Sequence, residues 1–266
     1  MSHPDTMFFD THCHLDFARF DEDREALLQR CVAAGVERIL LPGVTAAGWD
    51  GLVRLCRRSR DGVQLLAALG LHPVFMDQHA GRDLERLDSW FKDRPGELVA
   101  VGEIGLDYLL PKASWPAQQM LFRQQLQIAR KAQVPVLLHV RKAHDQVLKI
   151  LREQQFTGGG VVHAFSGSEQ QAMRYIERGF LFGVGGAITW PRATRLRALM
   201  ESLPLESLVL ETDAPDMKPS FCDDEWNSPL SLPGIAQHLA RVKRVSVEQI
   251  AEQTLRNMLR LLYADG

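Results

Sequence analysis

Short apolar runs rich in β-branched residues alternate with longer stretches whose apolar positions recur every three to four residues. The first run, Met7–Thr11, is followed by a helix predicted over Asp21–Ala34, in which Ala26, Leu27, Cys31 and Ala34 share a face and Gly35 stops the element. Further strands are predicted at Val36–Val44, Val63–Leu71, Leu98–Ile104, Pro135–Val140, Gly160–Ala164, Phe180–Val184 and Leu208–Thr212. The helical period predicts Ala47–Ser59, Asp83–Lys92, Pro116–Gln133, Ala143–Gln155, Glu169–Arg178 and Arg192–Leu203 between them, then Leu232–Arg241 and Val247–Tyr263. Eight βα units of about thirty residues each match the size of a βαβ repeat. That number favours one α/β (β/α)8 barrel of the TIM type over an open, doubly wound sheet. The longest irregular stretch, Ala214–Asn227, follows the eighth strand, where a barrel carries a loop of its active face.

A single barrel over residues 1–266, with 1–6 as an N-terminal extension, accounts for the length. The longest apolar runs are too short to span a bilayer, and no charged n-region with an apolar h-region opens the sequence. The expectation is a cytoplasmic monomer without a membrane partner. Cys13, Cys31, Cys56 and Cys222 lie far apart, which fits reduced thiols better than a disulfide scaffold. A formal charge of −2 excludes a broad basic surface, so any nucleic-acid contact must be local. The arginine-rich helix faces (Arg54, Arg57, Arg58 and Arg60; Arg192, Arg195 and Arg197) read as solvated surface, and no aromatic stacking platform interleaved with basic residues stands out.

Candidate chemistry collects at predicted strand ends. His12 and His14 have one parity, which in an extended strand aims both imidazoles at the same side. Glu103 closes the fourth strand, His139 the fifth, His163 the sixth and Asp213 the eighth. The C-terminal strand ends of a barrel form one rim. Four imidazoles and two carboxylates exceed the needs of one tetrahedral site, and suit two divalent ions with Glu103 as the bridge. The expected split is His12, His14 and Asp213 on one ion and His139 and His163 on the other. Two ions about 3.5–4 Å apart can clamp the attacking and leaving oxygens of an in-line displacement, with Asp213 as general base. Imidazole ligands suit zinc, manganese or nickel, whereas magnesium prefers oxygen, so the metal stays open. His72, before Pro73, and Arg141, two residues past His139, are assigned to substrate binding. Glu211 shares the parity of Asp213 and reads as a carboxylate orienting a ligand histidine or as a ligand in its own right. Cys13 reads as core, Asp10 as packing below the ions, and Ser166 as a turn or phosphate contact. His3, His79, His144 and His238 read as surface residues.

These residues fall in motifs: FFDTHCHLD at Phe8–Asp16, GLHP at Gly70–Pro73, GEIGLDY at Gly102–Tyr108, HVRKAH at His139–His144, HAFSG at His163–Gly167, ETDAPD at Glu211–Asp216 and NSP at Asn227–Pro229. Together they resemble the TatD family of metal-dependent hydrolases over nearly the whole chain. The resemblance implies an amidohydrolase-like barrel and a metal set of His12, His14, Glu103, His139, His163 and Asp213. It also implies divalent-metal hydrolysis of phosphodiesters, as in a deoxyribonuclease, with DNA or a nucleotide as the substrate. Two loops read as departures that suggest a divergent branch: Leu109–Trp115, as poor in basic and aromatic residues, and Ala214–Asn227, as acidic. The same centre could serve a small-molecule amide, ester or lactone, and a third reading is a non-catalytic metal-binding protein.

Overall fold

The structure, a computed structural model, describes residues 6–58 and 62–263. His3, Ser59 and Arg60, and with them most of the N-terminal extension, lie outside the described residues. Eight parallel strands follow one another around a sheet in chain order. They are β1 (Phe8–Asp10), β2 (Val36–Pro42), β3 (Gln64–Leu69), β4 (Leu98–Asp107), β5 (Val136–Arg141), β6 (Gly160–Val162), β7 (Phe180–Val184) and β8 (Leu208–Leu210). The seam between β8 and β1 is joined by Thr11, whose amide and hydroxyl both donate to the Leu210 carbonyl at 2.9 Å. The result is a nearly closed TIM-type barrel, as the strand count predicts. The helices of the crossovers are α1 (Arg24–Ala33), α2 (Trp49–Arg58), α3 (Gly81–Lys92), α4 (Trp115–Ala132), α5 (His144–Glu153), α6 (Glu169–Ile176) and α7 (Thr194–Ser202). After β8 come α8 (Leu232–Lys243) and α9 (Val247–Tyr263). No described helix is long and apolar enough to cross a membrane.

Period-two alternation divides the core into two layers. Ile39, Leu41, Leu65, Ala67 and Leu138 face the helices, while Phe9, Leu40, Leu66, Leu137, Val161, Leu181 and Val209 fill the barrel. Met258 of α9 is buried in that inner layer, with Leu255, Leu261 and Leu262 packed against it. The last helix therefore closes one end of the barrel, and the polar strand ends crowd the other.

Two differences from the predicted elements matter for the site. The first strand stops at Asp10, so His12 and His14 lie in the irregular chain beyond it. Phe9 faces the interior, so a strand continued past Asp10 would have turned both histidines toward the helices. The Asp10 carboxylate ends the alternation by accepting from the Thr212 amide at 2.9 Å and the Thr212 hydroxyl at 2.5 Å. Conversely, β4 runs three residues past its predicted end, to Asp107. Gly105 makes this possible: its φ is +144°, and a Cβ there would sit 2.0 Å from the His139 carbonyl oxygen.

Candidate metal centre

The ends of β1, β3, β4, β5, β6 and β8 carry polar side chains into one cluster at the barrel mouth. Glu103, 2% exposed, is its hub. Glu103 Oε2 lies 3.3 Å from His12 Nε2 and 3.9 Å from His14 Nε2. Its other oxygen, Oε1, lies 3.2 Å from His139 Nδ1 and 3.5 Å from His72 Nε2. Asp213 repeats the pattern: Oδ1 is 3.6 Å from His12 Nε2 and 3.7 Å from His14 Nε2, and Oδ2 is 3.5 Å from His163 Nε2.

The backbone is clamped to hold this arrangement. Gln118 and Gln125, seven residues apart on the buried face of α4, each bracket a strand end. Gln118 accepts from the Asp107 amide and donates to its carbonyl; Gln125 does the same for Leu71, beside His72. Such buried amides are fully paired, so each fixes a loop rather than costing stability. On the far side, the Asn227 side-chain amide donates to the carbonyls of Thr212 (2.8 Å) and Asp216 (3.0 Å), which ties down the loop bearing Asp213.

The donor set fits divalent cations. Among the described residues, His12 Nδ1 and Nε2 and His14 Nδ1 are buried with no hydrogen-bond partner, a state that costs free energy unless something else occupies the lone pairs. Ligand atoms about 2.1 Å from a tetrahedral ion stand about 3.4 Å apart, and the imidazole–carboxylate spacings above cluster there rather than at hydrogen-bond length. Three such groups occur among the described residues: His12, His14 and Glu103; His12, His163 and Asp213; and His72, Glu103 and His139.

Electrostatics follow from the crowding. Burial holds the His14 imidazole down at about 4, and the neighbouring His12 works in the same direction. Burial also lowers His72. For Glu103, burial alone would raise the carboxyl, but His12 and His72 outweigh it and hold the group well below the usual carboxylate range. Asp213 is lowered in the same way, against its burial, by His163. Burial opposes protonation of His139, yet Asp107 and Glu103 raise it to about 9. Both carboxylates are therefore ionised at neutral pH.

The structure brings His12, His14, Glu103, His139, His163 and Asp213 together, with a different partition from the expected split. His163 stacks on His12, ring centroids 3.9 Å apart, and faces Asp213. The residue that joins His139 at Glu103 Oε1 is His72, assigned from the sequence to substrate. Arg141 lies at the same mouth, exposed, with no side-chain hydrogen bond or ion pair among the described residues, and its charge acts on Asp107. Glu211 sits under the cluster: Oε1 accepts from the Ala164 amide at 2.8 Å and approaches His163 Nδ1 to 3.0 Å. Asp107 is the residue sequence reasoning missed. Its Oδ2 lies 3.1 Å from His139 Nε2, and its position four residues after Glu103 on a strand, hence on the same face, was the available signal.

Other expectations are corrected. His144 is buried at the start of α5, against Phe165 and Tyr175, rather than at the surface. His79 is half-buried and bonds the His72 carbonyl through Nε2; His238 is half-buried and stacks on Phe221. Arg197 is not a free surface charge, because its guanidinium donates to the carbonyls of Ile188, Trp190 and Pro191. The Leu109–Trp115 loop is not bare: Trp115 stacks on Tyr108 (3.9 Å, 9°), and Lys112 lies over its ring. Two more such pairs come from the loops after β1, β7 and β8: Arg19 over Trp226 and Arg192 over Trp190. Arg19 and Trp226 come from distant segments, whereas the other two pairs lie two and three residues apart along the chain.

A family model described as TatD related DNase matches residues 9–263. The uncharacterized metal-dependent hydrolase YjjV of Escherichia coli K12 is 41% identical, with 94% of this chain and 95% of that protein covered. Its crystal structure superposes with a TM-score of 0.91 over 96% of this chain and 97% of that one. Deoxyribonuclease TATDN3 of Homo sapiens is 31% identical over 95% of this chain and 93% of that protein. An uncharacterized amidohydrolase from Saccharomyces cerevisiae, 19% identical, shares the fold with a TM-score of 0.80, covering 96% and 99% of the two chains. Motifs, barrel and whole-length matches agree: this chain belongs to the TatD family, on a YjjV-like branch.

Proposed function

We propose that this protein is a metal-dependent hydrolase that cleaves phosphoester bonds in DNA or nucleotides. The observation that carries the proposal is the division of Glu103, one carboxylate oxygen toward His12 and His14 and the other toward His72 and His139. That is the arrangement a carboxylate shared by two cations requires. Asp213, with His12 and His14, completes four donors around the first position; His72, His139 and Glu103 surround the second; His163 approaches the first from the Asp213 side. When bound, two divalent ions acidify a water and neutralise the phosphoryl oxygens.

The chain's own residues supply the rest. Asp213, ionised and the more exposed of the two central carboxylates, takes the proton of the attacking water. Asp107 holds the His139 ring in place through Nε2. The exposed guanidinium of Arg141 forks onto a phosphate oxygen pair. The tryptophan–cation pairs at Trp115, Trp190 and Trp226 offer faces on which bases stack, sequence-tolerantly, around the mouth.

The test is release from single-stranded DNA and bis(p-nitrophenyl) phosphate by chelated and metal-refilled protein, beside Glu103→Gln and Asp213→Asn. Metal-dependent turnover lost in both variants, with unfolding profiles retained, is expected. Full activity in both variants, or no metal-dependent release from either substrate, refutes the proposal.

A further inference from the structure

Beside Asp213 and His163 the barrel mouth deepens into a cavity of about 350 Å³ between the loops after β6, β7 and β8. Phe165, Val184, Leu196 and Met200 line it, together with Ala187 and Met217. The polar side chains that border it are His139, His163 and Asp213 of the centre, Arg141 and the exposed Ser166. Apart from the centre, Arg141 and Ser166, the side chains that line it are therefore apolar.

The cavity is preformed. Arg197 holds the loop after β7 through three carbonyls. Ser220 bonds Thr189 twice, amide to hydroxyl and hydroxyl to carbonyl, and the Trp190 indole donates to the Lys218 carbonyl. A Cβ at Gly186 would meet the Met217 carbonyl at 2.1 Å, so the two loops touch backbone to backbone. A rigid apolar recess opening onto charged groups is the usual form of a small-molecule site, in which a few polar groups orient the ligand and the walls select its body.

We infer that this recess is a binding subsite for the apolar organic group, aryl or branched alkyl, of a small phosphate or phosphonate ester, whose anion lies on Arg141. The inference rests on the reading of the centre as a phosphoryl site and extends it to a class of substrate other than a polynucleotide. A nucleobase is a poorer occupant: apart from Ser166 and the backbone the walls offer its polar edges no partner, and each edge left unpaired costs about 1–3 kcal/mol. A phenyl or branched alkyl group has no such requirement.

The experiment is calorimetric titration of the manganese-loaded full chain with phenylphosphonate and with methylphosphonate. Both present the same anion, so the contributions of the cations and Arg141 cancel in the ratio of dissociation constants. The phenyl compound is expected to bind at least about tenfold more tightly, about 1.4 kcal/mol. Ala187→Phe fills the recess and should bring the ratio below about threefold, a loss of roughly 0.7 kcal/mol or more of selectivity. Met217→Ala, which removes a half-exposed wall, should lower the ratio severalfold and decides the matter if the thermal midpoint of Ala187→Phe shows it misfolded. Equal affinities in the wild type, an unchanged ratio in both variants, or tighter binding of thymidine 5′-phosphate than of phenylphosphonate overturns the inference. Turnover of bis(p-nitrophenyl) phosphate with equal phosphonate affinities removes the subsite and leaves the hydrolase; selective binding without turnover does the reverse.

Discussion

Gly183 of β7 offers a single-methyl perturbation of the centre from below. A Cβ at this position would lie 1.9 Å from Glu211 Oε2, 2.3 Å from its Cδ and 2.6 Å from Oε1. The carboxylate cannot stay where it is. Glu211 is 1% exposed, bonds the Ala164 amide and abuts His163. Displacing it forfeits a hydrogen bond to a charged acceptor, about 1.5–3 kcal/mol. Overpacking of a filled site adds about 1–3 kcal/mol. Gly183→Ala should then lose about 2.5–6 kcal/mol of stability. At roughly 2–4 °C per kcal/mol for chains somewhat shorter than this one, the thermal midpoint falls by about 5 °C or more. Metal affinity should drop about 10–100-fold, as when a group orienting a ligand is removed. The decisive assay is a double-variant cycle. Glu211→Ala empties the space the new methyl needs, so Gly183→Ala in that background should cost little, and the two effects should be strongly non-additive. Additive losses, or a Gly183→Ala protein with wild-type midpoint and metal affinity, would refute the reasoning.

Two further outcomes can be read from the same coordinates. Burial holds the His144 imidazole at about 4, with Asp145 pulling the other way; the unfolded chain takes that proton near the usual imidazole value of about 6.5, so stability falls as pH drops through the 6.5-to-4 window. At pH 5 the loss is roughly 2 kcal/mol, and His144→Gln should flatten that limb of urea midpoint against pH; an unchanged slope contradicts the assignment. Trp226→Ala and Trp115→Ala, each in an Asp213→Asn background to prevent cleavage, should weaken single-stranded DNA binding by about 1–3 kcal/mol per lost stack, read by fluorescence anisotropy, and wild-type affinity in both would remove the rim from the nucleic-acid reading.

The barrel was legible because its signals are local. Each strand alternates or runs apolar, each helix carries a stripe, and glycines such as Gly35 stop them within a residue or two. The gathering of six polar strand ends was legible for the same reason, since parallel strands in chain order put like ends together. What escaped depends on contacts between distant segments. The end of β1 at Asp10 is set by Thr212, two hundred residues away. The partnership of His72 with His139, rather than His163, depends on where Glu103 turns each oxygen, and no spacing along the chain encodes that. His144 reads as a surface charge beside Lys142 until Phe165 and Tyr175 close over it. The buried glutamines of α4 interrupt its apolar stripe, and only the strand ends they bracket explain them.

The central claim is that Glu103 is shared by two cations. Elemental analysis of protein saturated with manganese and freed of excess tests it directly, on the wild type and on Glu103→Gln side by side. The account predicts close to two ions per chain in the wild type and at most one in the variant, with the fold intact by circular dichroism. A single ion in the wild type, or two ions retained by Glu103→Gln, would contradict it.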